Sequence, residues 1–221
     1  MPETLSAVEA RILGSLIEKQ RTTPDYYPLT LNALTNACNQ TSNREPVVTF
    51  DEKTVVRGLD SLREKKLVWM VAAAGSRVPK YEQRLTEALA LKDPEAAVLC
   101  LLMLRGPQTP GELRSRSGRL HEFGNLEDVE SVLSALSARP EPLVASLPRQ
   151  PGMREIRWAH LLSGEVEWTP PSAAEPRPEP AALEVRQEDE RIARLEDDVR
   201  ALRQTVEDLS RQFAEFRKQL E

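Results

Sequence analysis

Apolar residues recur at helical spacing through the first part of the chain. Val8, Ile12, Leu13, Leu16 and Ile17 form one stripe, predicting a helix over 5–20 with Ser6 as its cap and Glu9 reaching back. Thr22-Thr23-Pro24-Asp25 ends it, and Leu31, Leu34 and Cys38 predict a second helix over 29–38. Val55, Val56, Leu59 and Leu62 predict a third, opened by a Thr49–Glu52 capping box and closed by Lys65-Lys66, whose charges suit the end of the helix dipole. The period then changes. Leu67 to Val71 is a short apolar run of strand composition, Ala74-Gly75-Ser76 reads as a turn, and Val78 to Tyr81 as the returning strand. Three helices followed by a two-stranded ribbon are the order of a winged helix-turn-helix.

The same pattern then returns. Leu91, Glu95, Ala96, Val98, Leu99 and Leu102 repeat Leu5, Glu9, Ala10, Ile12, Leu13 and Leu16 at a constant offset, which also carries Thr23-Pro24 onto Thr109-Pro110. Val129, Leu133 and Leu136 answer Val55, Leu59 and Leu62, with Asn125 and Asp128 supplying the cap. Lys80-Tyr81 corresponds to Arg157-Trp158, and a second ribbon is expected from Leu143–Leu147 and Glu155–Leu161. Self-similarity of this kind argues for a duplicated unit.

Past Gly164 the pattern breaks. Pro170, Pro171, Pro176, Pro178 and Pro180 punctuate a polar linker. Val185, Ile192, Val199, Val206, Phe213 and Leu220 then fall every seven residues, interleaved with Leu195, Leu202, Leu209 and Phe216. β-Branched residues at most a positions and Leu at d favour a parallel two-stranded coiled coil. The alternative is a single amphipathic helix docked on its own body. The expected fold is therefore mainly α with small β-hairpins (α+β). It comprises winged-helix domains over 1–85 and 86–163, a Pro-rich linker over 164–183 and a C-terminal coiled-coil helix over 184–221. Ile192, Leu195, Val199, Leu202, Val206, Leu209, Phe213 and Phe216 would make the homodimer seam.

Charge refines this picture. The chain has a formal net charge of −5, but the acidity is local. Up to Arg84 there are 12 Lys and Arg against 10 Asp and Glu, from Leu85 to Ser163 9 against 10, and from Gly164 onward 9 against 15. The near-neutral front can still present a basic face. Only His121 and His160 are present, and neither they nor Cys38 and Cys100 fall in a nucleophile, zinc or phosphate-loop motif. The expectation is a cytoplasmic, non-enzymatic protein with no catalytic residue, metal or cofactor. No apolar run approaches the ~18 residues of a membrane span.

Nucleic-acid readout finds candidates before and along the third helix. Asn39, Gln40, Asn43 and Arg44 carry groups that bond base edges, and Lys53 and Arg57 project opposite the apolar stripe. Arg77, Lys80 and Arg84 on the wing would hold phosphates, and Arg114, Arg116 and Arg119 form a denser cluster in the second half. The bland alternative has Asn39 and Asn43 capping and turning the chain, with Arg44 paired to Glu45. Asp51, Glu52, Asp60 and Glu64 dilute the third helix. A protein partner held by the same domains is the other reading.

Several runs resemble a known family. Glu18-Lys19-Gln20 with Thr22-Thr23-Pro24, Ala37-Cys38-Asn39-Gln40, Asn43-Arg44-Glu45-Pro46-Val47, Lys80-Tyr81-Glu82-Gln83-Arg84 and Gln108 to Arg116 are similar to the YceH-like family of bacterial proteins. The similarity spans nearly all of residues 5–167. It implies tandem winged helices and carries over no functional residue. Double-stranded DNA, a second copy of the chain and a protein partner are thus the expected ligands.

Overall fold

Ser6 accepts the Glu9 N–H at 3.2 Å while the Glu9 carboxylate accepts the Ser6 N–H at 2.6 Å. This box starts α1, Ala7–Thr22. In the computed structural model, which describes residues 4–71, 78–149 and 155–164, α1 is the central strut. It packs on three sides, against α2 (Leu31–Cys38), α3 (Glu52–Glu64) and α5 (Asp93–Arg105). That is why Arg11, Gly14 and Ser15 are buried along with Ile12, Leu13, Leu16 and Ile17.

Two expected boundaries move. Leu29 is not helical: Leu29–Thr30 forms strand β1, and Thr30 caps α2 by accepting the Ala33 N–H. The third helix is capped by Asp51, whose carboxylate accepts the Thr54 N–H at 2.8 Å, rather than by Thr49. The reason lies upstream. The Asn39 amide donates to the Phe50 carbonyl and accepts the Phe50 N–H, both at 2.8 Å, so the backbone is held extended through Phe50. Lys65 is the C-cap and Lys66 lies outside the helix at φ 59°, the left-handed position that commonly ends helices.

Strands β2 (Val68–Val71) and β3 (Lys80–Gln83) pair antiparallel, and β3 also pairs with β1. The sheet therefore has three strands in the order β1-β3-β2, not the expected two, with β2 on an edge. After the short α4 (Leu85–Ala88), α5 is apolar around its whole circumference, and every residue from Glu95 to Leu104 is buried. It ends at Gly106, φ 69° and ψ −157°, a conformation only glycine adopts readily. Helix α6 (Pro110–Ser117) is capped by Thr109 with Glu112, and α7 (Leu126–Ser137) by Asn125 with Asp128. Strands β4 (Val144–Ser146) and β5 (Trp158–His160) close the second half, shorter than the expected ribbon.

The halves share backbone devices. Leu67 N–H bonds the Leu62 carbonyl and Leu143 N–H the Leu136 carbonyl; Arg84 N–H bonds Leu67 and Leu161 N–H bonds Leu143. In both, the first helix carries a buried glutamate paired with a cation beyond the third: Glu9 with Lys65 at 2.8 Å, Glu95 with Arg139 at 3.1 Å. The halves are not insulated. One core cluster runs through both, Leu5 N–H bonds the Leu162 carbonyl, and the described residues all belong to one compact unit. The observed class is α+β, seven α-helices among the described residues with small antiparallel sheets. The turn Ala74–Ser76, Arg77, nearly all of the linker and the whole heptad segment with its seam residues lie outside the described residues.

Candidate nucleic-acid interface

The polar run before α3 folds largely inward. Asn39 is bound to Phe50 at both ends of its amide. Arg44 is buried, its side chain 0% exposed, and forks onto Glu18 at 3.1 and 2.6 Å rather than serving a ligand. Its Nε and Nη2 also donate to the Ala37 carbonyl at 3.1 and 2.9 Å. Gln40 accepts from Arg44 at 3.0 Å and from Lys19 at 3.4 Å. Asn43 takes a left-handed φ of 60° and accepts a hydrogen bond from Arg105. A charge pair this enclosed needs every donor met, which explains the density of polar contacts. The run thus braces α1 against α2 and α5.

The exposed cations lie farther along. Lys53 and Arg57 sit one turn apart on the outer face of α3, opposite buried Val55, Leu59 and Leu62. Neither makes a side-chain hydrogen bond or ion pair with another described residue. Their charges only graze the Asp51 carboxyl, which its hydrogen bonds to Thr54 hold below the usual carboxylate range. Lys80 is half-buried on β3. Arg84 lies 3.7 Å over the Trp69 ring and pairs with Glu82 at 3.3 Å and Glu87 at 2.5 Å, so its charge is locally answered. In the second half Arg114 donates to the Gly124 carbonyl at 3.0 Å, and Arg116 to Gln108 at 2.8 Å. Arg119 is exposed and has no such partner among the described residues. Helix α7, the counterpart of α3, carries Glu127, Asp128 and Glu130 and no cation.

Other chemistry is sparse. Burial pushes the Cys38 thiol up to about 11 and the Cys100 thiol higher still, which keeps both protonated and poor nucleophiles. His121 packs edge-on against Phe123. His160 is enclosed with Nδ1 unpartnered, and burial pushes its pKa down to about 4. Among the described residues no group of three or more His, Cys, Asp or Glu is placed to hold a metal ion. No described helix is long and apolar enough to cross a membrane.

Two features escape the sequence pattern. Trp69 and Met70 are half-exposed on the edge strand β2. Beside α7, Leu126, Ile156, Trp158 and Pro110 wall an open cleft of about 400 Å³. An apolar strand composition signals burial, and only knowledge of what covers the two faces of β2 would have signalled exposure.

Residues 5–153 match the family described as "Protein of unknown function, DUF480". A "UPF0502 protein" of Geotalea uraniireducens is 56% identical over 217 residues, 98% of each chain. One from Opitutus terrae is 56% identical over 200 residues, 90% of this chain and 83% of that one. One from Pelobacter propionicus is 51% identical over 224 residues, covering both chains fully. The chain therefore belongs to this DUF480 family of bacterial UPF0502 proteins.

Proposed function

We propose that the chain is a non-enzymatic, cytoplasmic protein of two winged-helix repeats, residues 1–85 and 86–163, and that the first repeat binds duplex DNA through α3. The observation that carries this reading is the pair Lys53 and Arg57, exposed on the face turned away from the core and making no side-chain hydrogen bond or ion pair with another described residue. An exposed, unpaired cation gains by displacing the counterions condensed on a phosphate backbone. Lys80 and Arg119 extend the basic contacts, and Arg114 and Arg116 add to them by leaving their local acceptors. Asn39 and Arg44 drop out of the interface, because their polar groups are already met inside the fold. The heptad segment makes the chain a homodimer, so weak contacts in two copies add through effective concentration. Sedimentation equilibrium tests that part, and a monomer at micromolar concentration would remove it.

Fluorescence anisotropy on random duplex DNA over a salt series tests the binding. Log affinity is expected to fall linearly with log salt, and Lys53→Glu with Arg57→Glu to flatten the slope by about 2 and weaken binding more than tenfold. No binding at low salt retires the DNA reading. A protein ligand is then the second reading, favoured by α7: its three carboxylates repel phosphate while the cleft beside it is walled by apolar side chains.

A further inference from the structure

The connection between α2 and α3 is longer than joining two such helices requires. It takes residues 39–50, whereas residues 118–124 suffice between α6 and α7. The added length forms an extended stretch. From Val47 to Asp51 exposure alternates with the period of a strand: Val47, Thr49 and Asp51 are exposed, Val48 and Phe50 half-buried, and Phe50 packs on the core. No described strand pairs with it. Side chains take that place along one edge. Arg11 donates to the Pro46 carbonyl at 2.6 Å, and the Asn39 amide both donates to Phe50 and accepts from it at 2.8 Å. Arg11 is buried and has no carboxylate partner among the described residues, so its charge is committed to the carbonyls of Pro46 and Cys38.

In extended backbone the N–H and C=O of one residue point to the same edge, and successive residues point to opposite edges. Pro46 and Phe50 are tied inward, so Val47 and Thr49 turn their N–H and C=O outward. Those groups have no hydrogen-bond partner among the described residues, and the Val47 side chain is 53% exposed. Donors and acceptors therefore alternate along this edge. A phosphate would meet the donors only and be repelled by the carbonyls; the complement is another extended backbone, which offers the same alternation in reverse. A second copy of the same stretch fits it badly. Antiparallel pairing of Val47 with Thr49 sets Glu45 of each copy opposite Asp51 of the other, carboxylate against carboxylate at both ends. We propose that this edge binds an extended peptide segment of another protein as an added strand, with β-branched or aromatic side chains set against Val47 and Thr49. The tethers from Arg11 and Asn39 hold the stretch extended beforehand, so little backbone freedom is lost on binding. Neither Lys53 nor Arg57 takes part, so the inference stands or falls apart from the DNA reading.

The test uses the full chain and an array of short synthetic peptides whose centres carry every order of Val, Ile, Thr, Tyr and Phe between terminal lysines. Peptides that bind are then measured in solution by fluorescence anisotropy. N-methylation of a peptide residue paired with Val47 or Thr49 is expected to weaken binding about tenfold, and N-methylation of the residue between them to leave it unchanged. Thr49→Pro removes one outward N–H while favouring extended backbone at Val48, and is expected to weaken binding about as much with the circular dichroism unaltered. In ¹⁵N-labelled protein, bound peptide is expected to slow exchange of the Val47 and Thr49 amides with water and to leave that of Phe50, already bonded to Asn39, as it was. No peptide bound anywhere on the array, protection at other amides, or N-methylated peptides that bind equally well would each overturn the proposal. Protection of Val47 and Thr49 that grows with protein concentration, without peptide, would assign the edge to a second copy and overturn it as well.

Discussion

Glu9 shows how one side chain serves several elements at once. It takes the Ser6 N–H that starts α1, the Ser61 hydroxyl of α3 and the Lys65 ammonium beyond α3. Burial alone would raise its pKa, but these partners outweigh burial and hold the carboxyl below its ordinary value. Its stabilising charge is therefore present above the usual carboxylate pKa and is lost as pH falls through the lower folded value. His160 acts in a different window. Its folded pKa of about 4 lies below the ordinary value of 6.5, so the unfolded chain takes up the proton first. Its contribution is complete above pH 6.5 and disappears as pH falls toward 4. Urea midpoints measured from pH 7 to 5 are expected to decline in the parent protein, and His160→Gln to flatten that decline. An unchanged slope would show that the imidazole reaches solvent. Nothing in the local sequence marks His160 as a buried histidine; its shift comes from burial by the rest of the fold.

At the scale of elements, the legible features were those fixed within four residues. The Ser6–Glu9 and Asn125–Asp128 boxes stand where their spacing puts them, since a cap needs only its own helix. The Thr49–Glu52 box fails because a long-range contact, Asn39 to Phe50, decides where the chain becomes free to turn. The strand limits and the pairing of Arg44 with Glu18 were illegible for the same reason: both depend on partners distant in sequence. Residue pattern placed Lys53 and Arg57 on the outer face of α3, because the apolar stripe fixes the opposite face too. The cap assignment has a direct check. Asp51→Ala is expected to lower the thermal midpoint, by leaving the Thr54 N–H without its acceptor, while Thr49→Ala leaves it unchanged. The reverse result would return the cap to Thr49.

The whole molecule turns on the contact between α1 and α5. These are the equivalent helices of the two halves, and they meet at equivalent positions: the constant offset carries Gly14 onto Cys100, and the Cys100 thiol donates to the Gly14 carbonyl at 3.3 Å. The constant offset between the two stretches was legible in the sequence; this contact was not, because matching residues do not say which faces join. One sign was present. An α5 apolar all round must be covered on every side, and in its own half it packs chiefly against α6, α7 and β5. At Gly14 a Cβ would stand 2.9 Å from both Cγ and Cδ2 of Leu104 and 3.3 Å from the Met103 Cβ, too close without moving α5. Gly14→Val therefore strains the joint directly, at a cost of about 1–3 kcal/mol, typical of forcing extra carbon into a packed core. Because one core cluster spans both halves, that loss is expected to appear as a single urea transition at lower concentration, followed by circular dichroism and by the fluorescence of Trp69 and Trp158 alike. Two separate transitions would instead mean that each half holds its fold alone and that α1 and α5 merely rest against each other.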